Sequence, residues 1–369
     1  MDLKEFTSKK TFIIAEIGKN HIQTEEEVSV TEYLDNAKEL VKLAKQSGAD
    51  AVKFQTHIVE DEQLCLNVTS PHFKGSDRYS WVYRNNRITP KDEFWIPLKK
   101  YCDDIGIIFF STPMSRNAAK LLNSLDVQLW KIGSGDILDF VTLDYISSSN
   151  KPIIFSSGMS TIEEIKLSIE FLRKRNSSLV LLHCVSKYPC PPEELNLATI
   201  NFYQEEFPDL IIGFSDHSIG YDSAVAAVAL GAKVIEKHFS LNRDLWGSDH
   251  KVSMTPQEFR DMVDQIRVLE KDESLRSECL NKEIVLKSLG TKGKFLFEDE
   301  SMFRDYFRKS LVAGQDITKG TIITKEMIYA MRPQKLAGGI HSERYEEILG
   351  KKLNKTLKKY DVFKEEYFK

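Results

Sequence analysis

Eight short apolar runs, each followed by a stretch of helical periodicity, occupy the chain from Thr11 to Asp272. The runs are 11–18 (TFIIAEIG), 51–56 (AVKFQT), 106–112 (GIIFFST), 129–134 (LWKIGS), 152–158 (PIIFSSG), 179–185 (LVLLHCV), 210–214 (LIIGF) and 232–236 (AKVIE). None has a regularly alternating polar face, so each reads as a strand buried on both sides, as parallel strands are. The intervening stretches are 28–47, 91–105, 115–125, 140–149, 162–174, 195–207, 221–230 and 255–272. The first places Val30, Leu34, Ala37, Leu40, Val41 and Ala44 on one helical face and stops at Gly48. Ser115 is a candidate N-cap for the third. Eight strand–helix units over about 250 residues have the size of a TIM (β/α)8 barrel. An open doubly wound sheet rarely repeats so evenly.

Three regions fall outside the alternation. Residues 57–90 are polar and aromatic without periodicity, and a loop of that length is either functional, here a lid, or a surface excursion. Residues 276–307 are charged and read as a linker. Residues 308–369 carry short apolar runs and glycine-containing turns, the pattern of a small β-rich module. About sixty residues bury few side chains, so such a module leans on another surface, its own barrel or a second subunit. The predicted layout is therefore 1–275 barrel, 276–307 linker and 308–369 β-rich module.

The formal charge of −4 gives no basis for a nucleic-acid or membrane-surface partner, so an anionic substrate has to be held by local groups. Five scattered cysteines without a CxxC fit reduced thiols in the cytoplasm. No signal-peptide pattern or membrane-length apolar run is expected to alter that location.

A TIM barrel puts its active site where the strands end. Those ends carry Glu16; Lys53 and Gln55; Thr112; Lys131, Ser134 and Asp136; Ser156; Ser186 and Tyr188; Ser215 and His217; and His238. Lysines within buried strands are costly unless paired or aimed at an anion. Lys53 and Lys131, with Ser134, Ser156, Ser186 and Ser215 on the same rim, would cradle a phosphate. Alternatively, each lysine pairs with a strand carboxylate such as Glu16 or Glu236, or one forms a Schiff base. His217 and His238 end consecutive strands and can aim two imidazoles at one divalent metal, with Asp249 nearby. Two nitrogen ligands without cysteine leave room for water and a substrate oxygen, which suits Mn²⁺ or Mg²⁺.

These pieces resemble the sialic acid (N-acetylneuraminate) synthase family. The matching segments are 14–21 (IAEIGKNH), 52–62 (VKFQTHIVEDE), 111–116 (STPMSR), 131–136 (KIGSGD), 156–159 (SSGM), 183–191 (HCVSKYPCP), 213–218 (GFSDHS), 236–239 (EKHF), 247–253 (GSDHKVS) and 331–333 (MRP). Each is weak alone; ten in this order are specific. The resemblance implies a TIM barrel followed by an antifreeze-like (SAF) domain, which the segment SLVAGQDITKG would begin. It implies that phosphoenolpyruvate is condensed with an N-acylated amino sugar to give a nonulosonic acid and phosphate. His217 and His238 would bind the metal, and Lys53, Lys131, Ser134, Ser156, Ser186 and Ser215 would hold phosphoenolpyruvate. Glu16, Gln55, Tyr188 and Asp249 would face the sugar and metal. Arg332 would come from the SAF domain of the other subunit of a domain-swapped homodimer and meet the N-acyl group.

Met114, Asp136, the stretch 80–89 and the longer RPQKLAGGI depart from the bacterial pattern around the sugar. They leave the acceptor open among N-acetylmannosamine, its 6-phosphate (which would yield sialic acid 9-phosphate), a 2,4-diacetamido sugar leading to legionaminic acid, and other precursors. Rival readings are a metal-dependent aldolase using free pyruvate and a sugar-binding scaffold without chemistry.

Overall fold

A computed structural model of the chain describes residues 2–69, 77–176 and 178–368. The eight expected strands form: β1 (Phe12–Gly18), β2 (Ala51–Thr56), β3 (Ile108–Pro113), β4 (Trp130–Ile132), β5 (Ile153–Ser156), β6 (Leu179–Cys184), β7 (Ile211–Asp216) and β8 (Val234–His238). All the recorded ladders among them are parallel, in the order β3-β2-β1-β8-β7-β6-β5-β4. β3 and β4 lie side by side where the ring closes. The predicted TIM barrel is the architecture of this chain.

Strand alternation sorts the side chains into two destinations. Ile13, Ala15, Ile17, Val52 and Phe54 face outward into the core shared with the helices. Phe12, Ile14, Ala51, Phe110, Leu129, Ile154, Val180, Leu182 and Val234 fill the lower interior of the barrel. The helix Leu3–Lys9 belongs to that inner cluster through Leu3 and Phe6, with Phe6 edge-on to Phe12 at 5.0 Å. On β1, β2, β3, β4, β5 and β8 the next inward position is polar (Glu16, Lys53, Thr112, Lys131, Ser156 and Glu236), so an apolar layer lies below a chemical one. Gly213 is glycine because β7 runs very close to β8: a Cβ there would sit 2.4 Å from the Val234 carbonyl oxygen.

The helices form where the periodicity placed them. Ser115 caps its helix through the Ala118 N–H, and Gly48 follows the first helix at φ +90°. The stretch 57–90 is more ordered than expected, with helices Val59–Glu62 and Arg78–Ile88. Its middle, residues 70–76, lies outside the described residues. The linker, which the sequence leaves to be ordered by docking, folds as helices Leu275–Leu280, Glu283–Leu289 and Glu298–Phe307.

The β-rich module pairs β9 (Ser310–Ala313) antiparallel with β10 (Ile328–Met331) and adds isolated bridges such as Val312 to Val362 and Ile317 to Leu357. It docks on the barrel of its own chain. Arg116 donates to the carbonyls of Lys325 at 2.7 Å and Ile328 at 2.8 Å. Lys309 Nζ donates to the Met114 carbonyl at 2.7 Å. The backbone N–H of Leu64 reaches the Arg332 carbonyl at 2.9 Å, and that of Arg332 reaches the Glu62 carbonyl at 3.0 Å. Within this single chain Arg332 reaches the barrel from the chain's own tail; the resemblance implies the same contact made across a domain-swapped homodimer.

Candidate active site

The C-terminal ends of the strands surround an open cavity of about 1060 Å³. It is lined by Glu16, Lys53, Gln55, Thr112, Lys131, Ser134, Asp136, Ser156, Ser186, Tyr188, Ser215, His217, His238 and Asp249. Every site residue predicted from the sequence is therefore on one wall or another of it, except Arg332.

On the floor, four charges interlock. Lys53 pairs with Glu16, stands 3.8 Å from Glu236 and donates to Thr112 Oγ1 at 3.3 Å. Lys131 lies 3.4 Å from Glu236 and donates to Ser156 Oγ at 2.8 Å. Gln55 donates to Glu16 at 3.0 Å, and Ser215 to Glu236 at 3.0 Å. The two lysines thus do both things the sequence left open: they pair with strand carboxylates and they face a cavity.

Burial sets the electrostatics of the four. It disfavours ionised Glu236, but Lys131 and Lys53 outweigh it and hold that carboxyl at about 2. Burial pushes Glu16 above the ordinary carboxylate value; Lys53 opposes the rise and Glu236 adds to it. Burial works against charged Lys53, yet Glu16 and Glu236 keep its ammonium above the usual range. Lys131 is lowered by burial, which Glu236 only partly offsets. Lys131 is therefore the cation that an arriving anion would stabilise most.

Above this floor, at the ends of β7 and β8, stand the histidines. Their rings lie 5.3 Å apart, with Tyr188 4.1 Å from His217 and 6.0 Å from His238. His217 Nδ1 donates to the Val185 carbonyl at 2.9 Å, so its Nε2 is the nitrogen left for a ligand. His238 Nδ1 is buried without a hydrogen-bond partner among the described residues. Burial pushes His238 down to about 3, so its imidazole is neutral. Asp249 is held at about 2, because Lys19 and His238 outweigh the effect of burial. Burial works against charge on His217 too, but Cys184 and the Val185 carbonyl raise it above the ordinary imidazole value, so a divalent cation held by both rings would displace a proton from His217. Among the described residues no three His, Cys, Asp or Glu side chains converge into a closed cage, so a cation held here would keep open positions. Two further histidines have different duties: His183 Nε2 donates to the Leu195 carbonyl at 2.7 Å, and His250 bonds Ser240 Oγ at 2.6 Å.

The mouth is built largely from residues the sequence did not single out. Lys19, Arg78, Trp81, Phe303 and Phe307 line it. Phe307 lies between two guanidinium groups, 4.4 Å from Arg78 and 5.5 Å from Arg332. Arg332 is fully buried and pairs with Asp136 behind the cavity wall, while Lys309 contacts the same carboxylate at 2.9 Å. Asp136, not Arg332, presents the charge to the cavity. Glu236, offered by the sequence as a partner for the lysines, shares the inward face of β8 with His238 and lines the same cavity.

The model of the NeuB family matches residues 40–276, and that of the SAF domain matches residues 308–365. The chain belongs to the NeuB family. Among its NeuB-like relatives, N,N'-diacetyllegionaminic acid synthase of Campylobacter jejuni is 35% identical, over 97% of this chain and 100% of that protein. Human N-acetylneuraminate-9-phosphate synthase is 33% identical, over 96% of this chain and 92% of the human one. The crystal structure of the spore coat polysaccharide biosynthesis protein SpsE from Bacillus subtilis superposes with a TM-score of 0.77 at 32% identity, covering 97% of this chain and 95% of that one. NeuB membership thus extends over barrel and tail together. No helix among the described residues is long and apolar enough to cross a membrane.

Proposed function

We propose that this chain is a nonulosonic acid synthase that condenses phosphoenolpyruvate with the open-chain aldehyde of an N-acylated amino sugar. The observation that carries the reading is one cavity that gathers two buried lysines, a set of serines, two imidazoles and Asp249. An anionic donor and a carbonyl acceptor together need those groups. The names of the relatives support a product of this class, and they differ from one another in the sugar acid made.

Lys131, Ser134, Ser156 and Ser186 bind the donor's anionic groups, and Lys53, kept charged by Glu16 and Glu236, completes the cradle. Holding the two substrates in line supplies much of the rate. C3 of phosphoenolpyruvate bonds to the aldehyde carbon, whose oxygen becomes a hydroxyl. Water adds at C2, and the tetrahedral centre loses phosphate by C–O cleavage. Glu16, the carboxyl raised by burial, takes the proton from the water that adds at C2. Tyr188 and Asp249 orient the acceptor beside the histidines. His217 and His238 would hold Mn²⁺ or Mg²⁺, which when bound supplies Lewis-acid stabilisation of negative charge on the aldehyde oxygen.

The test is phosphate release from phosphoenolpyruvate across a panel of N-acylated hexosamines and their 6-phosphates, with mass spectrometry of the product. Carbon–carbon bond formation with free pyruvate, and none with phosphoenolpyruvate, would replace the reading by an aldolase.

A further inference from the structure

The helix Glu298–Phe307 places one carboxylate where no substrate reaches it. Glu300 is completely buried and does not line the cavity. Its Oε1 accepts the backbone N–H of Met159 at 2.6 Å and that of Ser186 at 2.9 Å. Met159 follows β5 and Ser186 follows β6, so one oxygen atom ties together two rim loops that are remote from it in sequence. Oε2 has no hydrogen-bond partner among the described residues, and neither has the buried Nζ of Lys294.

The two loops tied in this way are the one that continues β5 beyond Ser156 and the one that carries Ser186 to the cavity. Met159 is a non-glycine residue at φ +53°, a conformation that persists only where its surroundings impose it. Three bonds from the same segment impose it: Glu300 on its N–H, and Arg304 at 3.1 Å and Arg308 at 2.7 Å on its carbonyl. The adjoining Gly158 packs so tightly that a Cβ would lie 2.2 Å from Ser186 Oγ and 2.7 Å from Ser134 Oγ. A shift of the Met159 loop therefore moves the serine hydroxyls themselves.

We infer that Glu300 is a positioning residue for the phosphoenolpyruvate half of the site: it fixes the β5 and β6 loops so that their serines face the donor. The role rests on the function proposed above. It assigns to the linker a share in donor binding, and it predicts an effect on one substrate and not the other.

The test compares Glu300→Ala, Glu300→Asp and Glu300→Gln with the wild type in the full-length, metal-supplemented enzyme, varying each substrate in turn. E300A leaves two buried N–H groups unpaired; it raises KM for phosphoenolpyruvate by about ten- to a hundredfold and KM for the sugar by less than about twofold. E300Q, whose carbonyl oxygen still accepts both N–H groups, recovers most of the loss. E300D keeps the charge but withdraws it by one methylene, and it gives the same selective rise, smaller, if E300A does not fold. Equal changes in both KM values, or none in a folded variant, overturn the role while leaving the reaction intact. A wild type that releases no phosphate from phosphoenolpyruvate overturns the donor assignment and this role with it.

Discussion

Asp216 and Lys237 form a 2.7 Å ion pair with both side chains fully buried, each one residue ahead of a cavity histidine in the chain. They are Cα partners in the β7–β8 ladder and point to the helix side of the barrel wall, so His217 and His238 point to the cavity. Lys237 Nζ also donates to the Ser218 carbonyl at 2.6 Å, and Asp216 accepts the Ser218 N–H at 2.8 Å. The pair fastens the ends of both strands immediately behind the imidazoles.

Removing one member leaves the other charge buried alone. Lys237→Met is expected to lower the unfolding free energy by about 3–5 kcal/mol. The double variant Asp216→Leu/Lys237→Met should lose less than the sum of the two singles, because neither charge remains. Urea denaturation of the four proteins measures this cycle, and additive losses would contradict the coupling.

The imidazoles make a prediction about metal. His217→Ala should lose bound divalent cation after dialysis and reduce phosphate release by at least about a hundredfold. Elemental analysis and the phosphate assay read the two effects separately. Full activity of this variant after chelator treatment would end the assignment.

On the proposed function, Arg332 acts on the sugar end through its ion pair with Asp136. Arg332→Ala leaves that carboxylate with Lys309 as its remaining close cation and frees Phe307 on one side. Loss of a charge-assisted contact worth about 1.5–3 kcal/mol should raise acceptor KM by roughly ten- to a hundredfold and leave donor KM within about twofold. Acceptor KM equal to that of the wild type would detach the tail from sugar recognition.

Asp61 gives the docked tail a pH dependence. It lies between barrel and tail and accepts the Asn117 N–H at 2.8 Å; burial raises its carboxyl from 3.8 to about 6. A carboxyl with a raised folded-state value favours the folded chain when protonated. Its contribution is therefore complete below about pH 4 and is lost as the pH rises through about 6. Asp61→Asn should remove this slope and gain about 1–3 kcal/mol at pH 7. Melting temperatures at pH 4.5 and 7.5 check it; parallel curves for variant and wild type would contradict it.

The barrel was legible because its evidence is local. Apolar runs of strand length, Gly48 as a helix stop and Ser115 as a cap are readable within a few residues. Lys53 and Lys131 were conspicuous because a lysine inside an apolar strand has few explanations. The mouth was not legible, because it is made by docking. Arg78, Glu300 and Phe307 stand in charged or aromatic stretches without strand-length apolar runs, and their roles depend on contacts with residues far away in the chain. The helix Arg78–Ile88 did carry a signal: Asp77 caps it through the Ser80 N–H. Its mixed polar and aromatic surface hid the periodicity. The linker helices hid for the same reason, being stabilised by the barrel they lie on more than by their own pattern.

The order of residues along the chain has a consequence for synthesis. Chains fold from the N-terminus as they leave the ribosome. All eight barrel strands, both lysines and both histidines emerge before Glu300, Phe307 and Arg332 have been translated. A nascent chain thus carries these groups while part of the cavity wall is still missing. Translation of the closing segment completes that wall with Phe303 and Phe307.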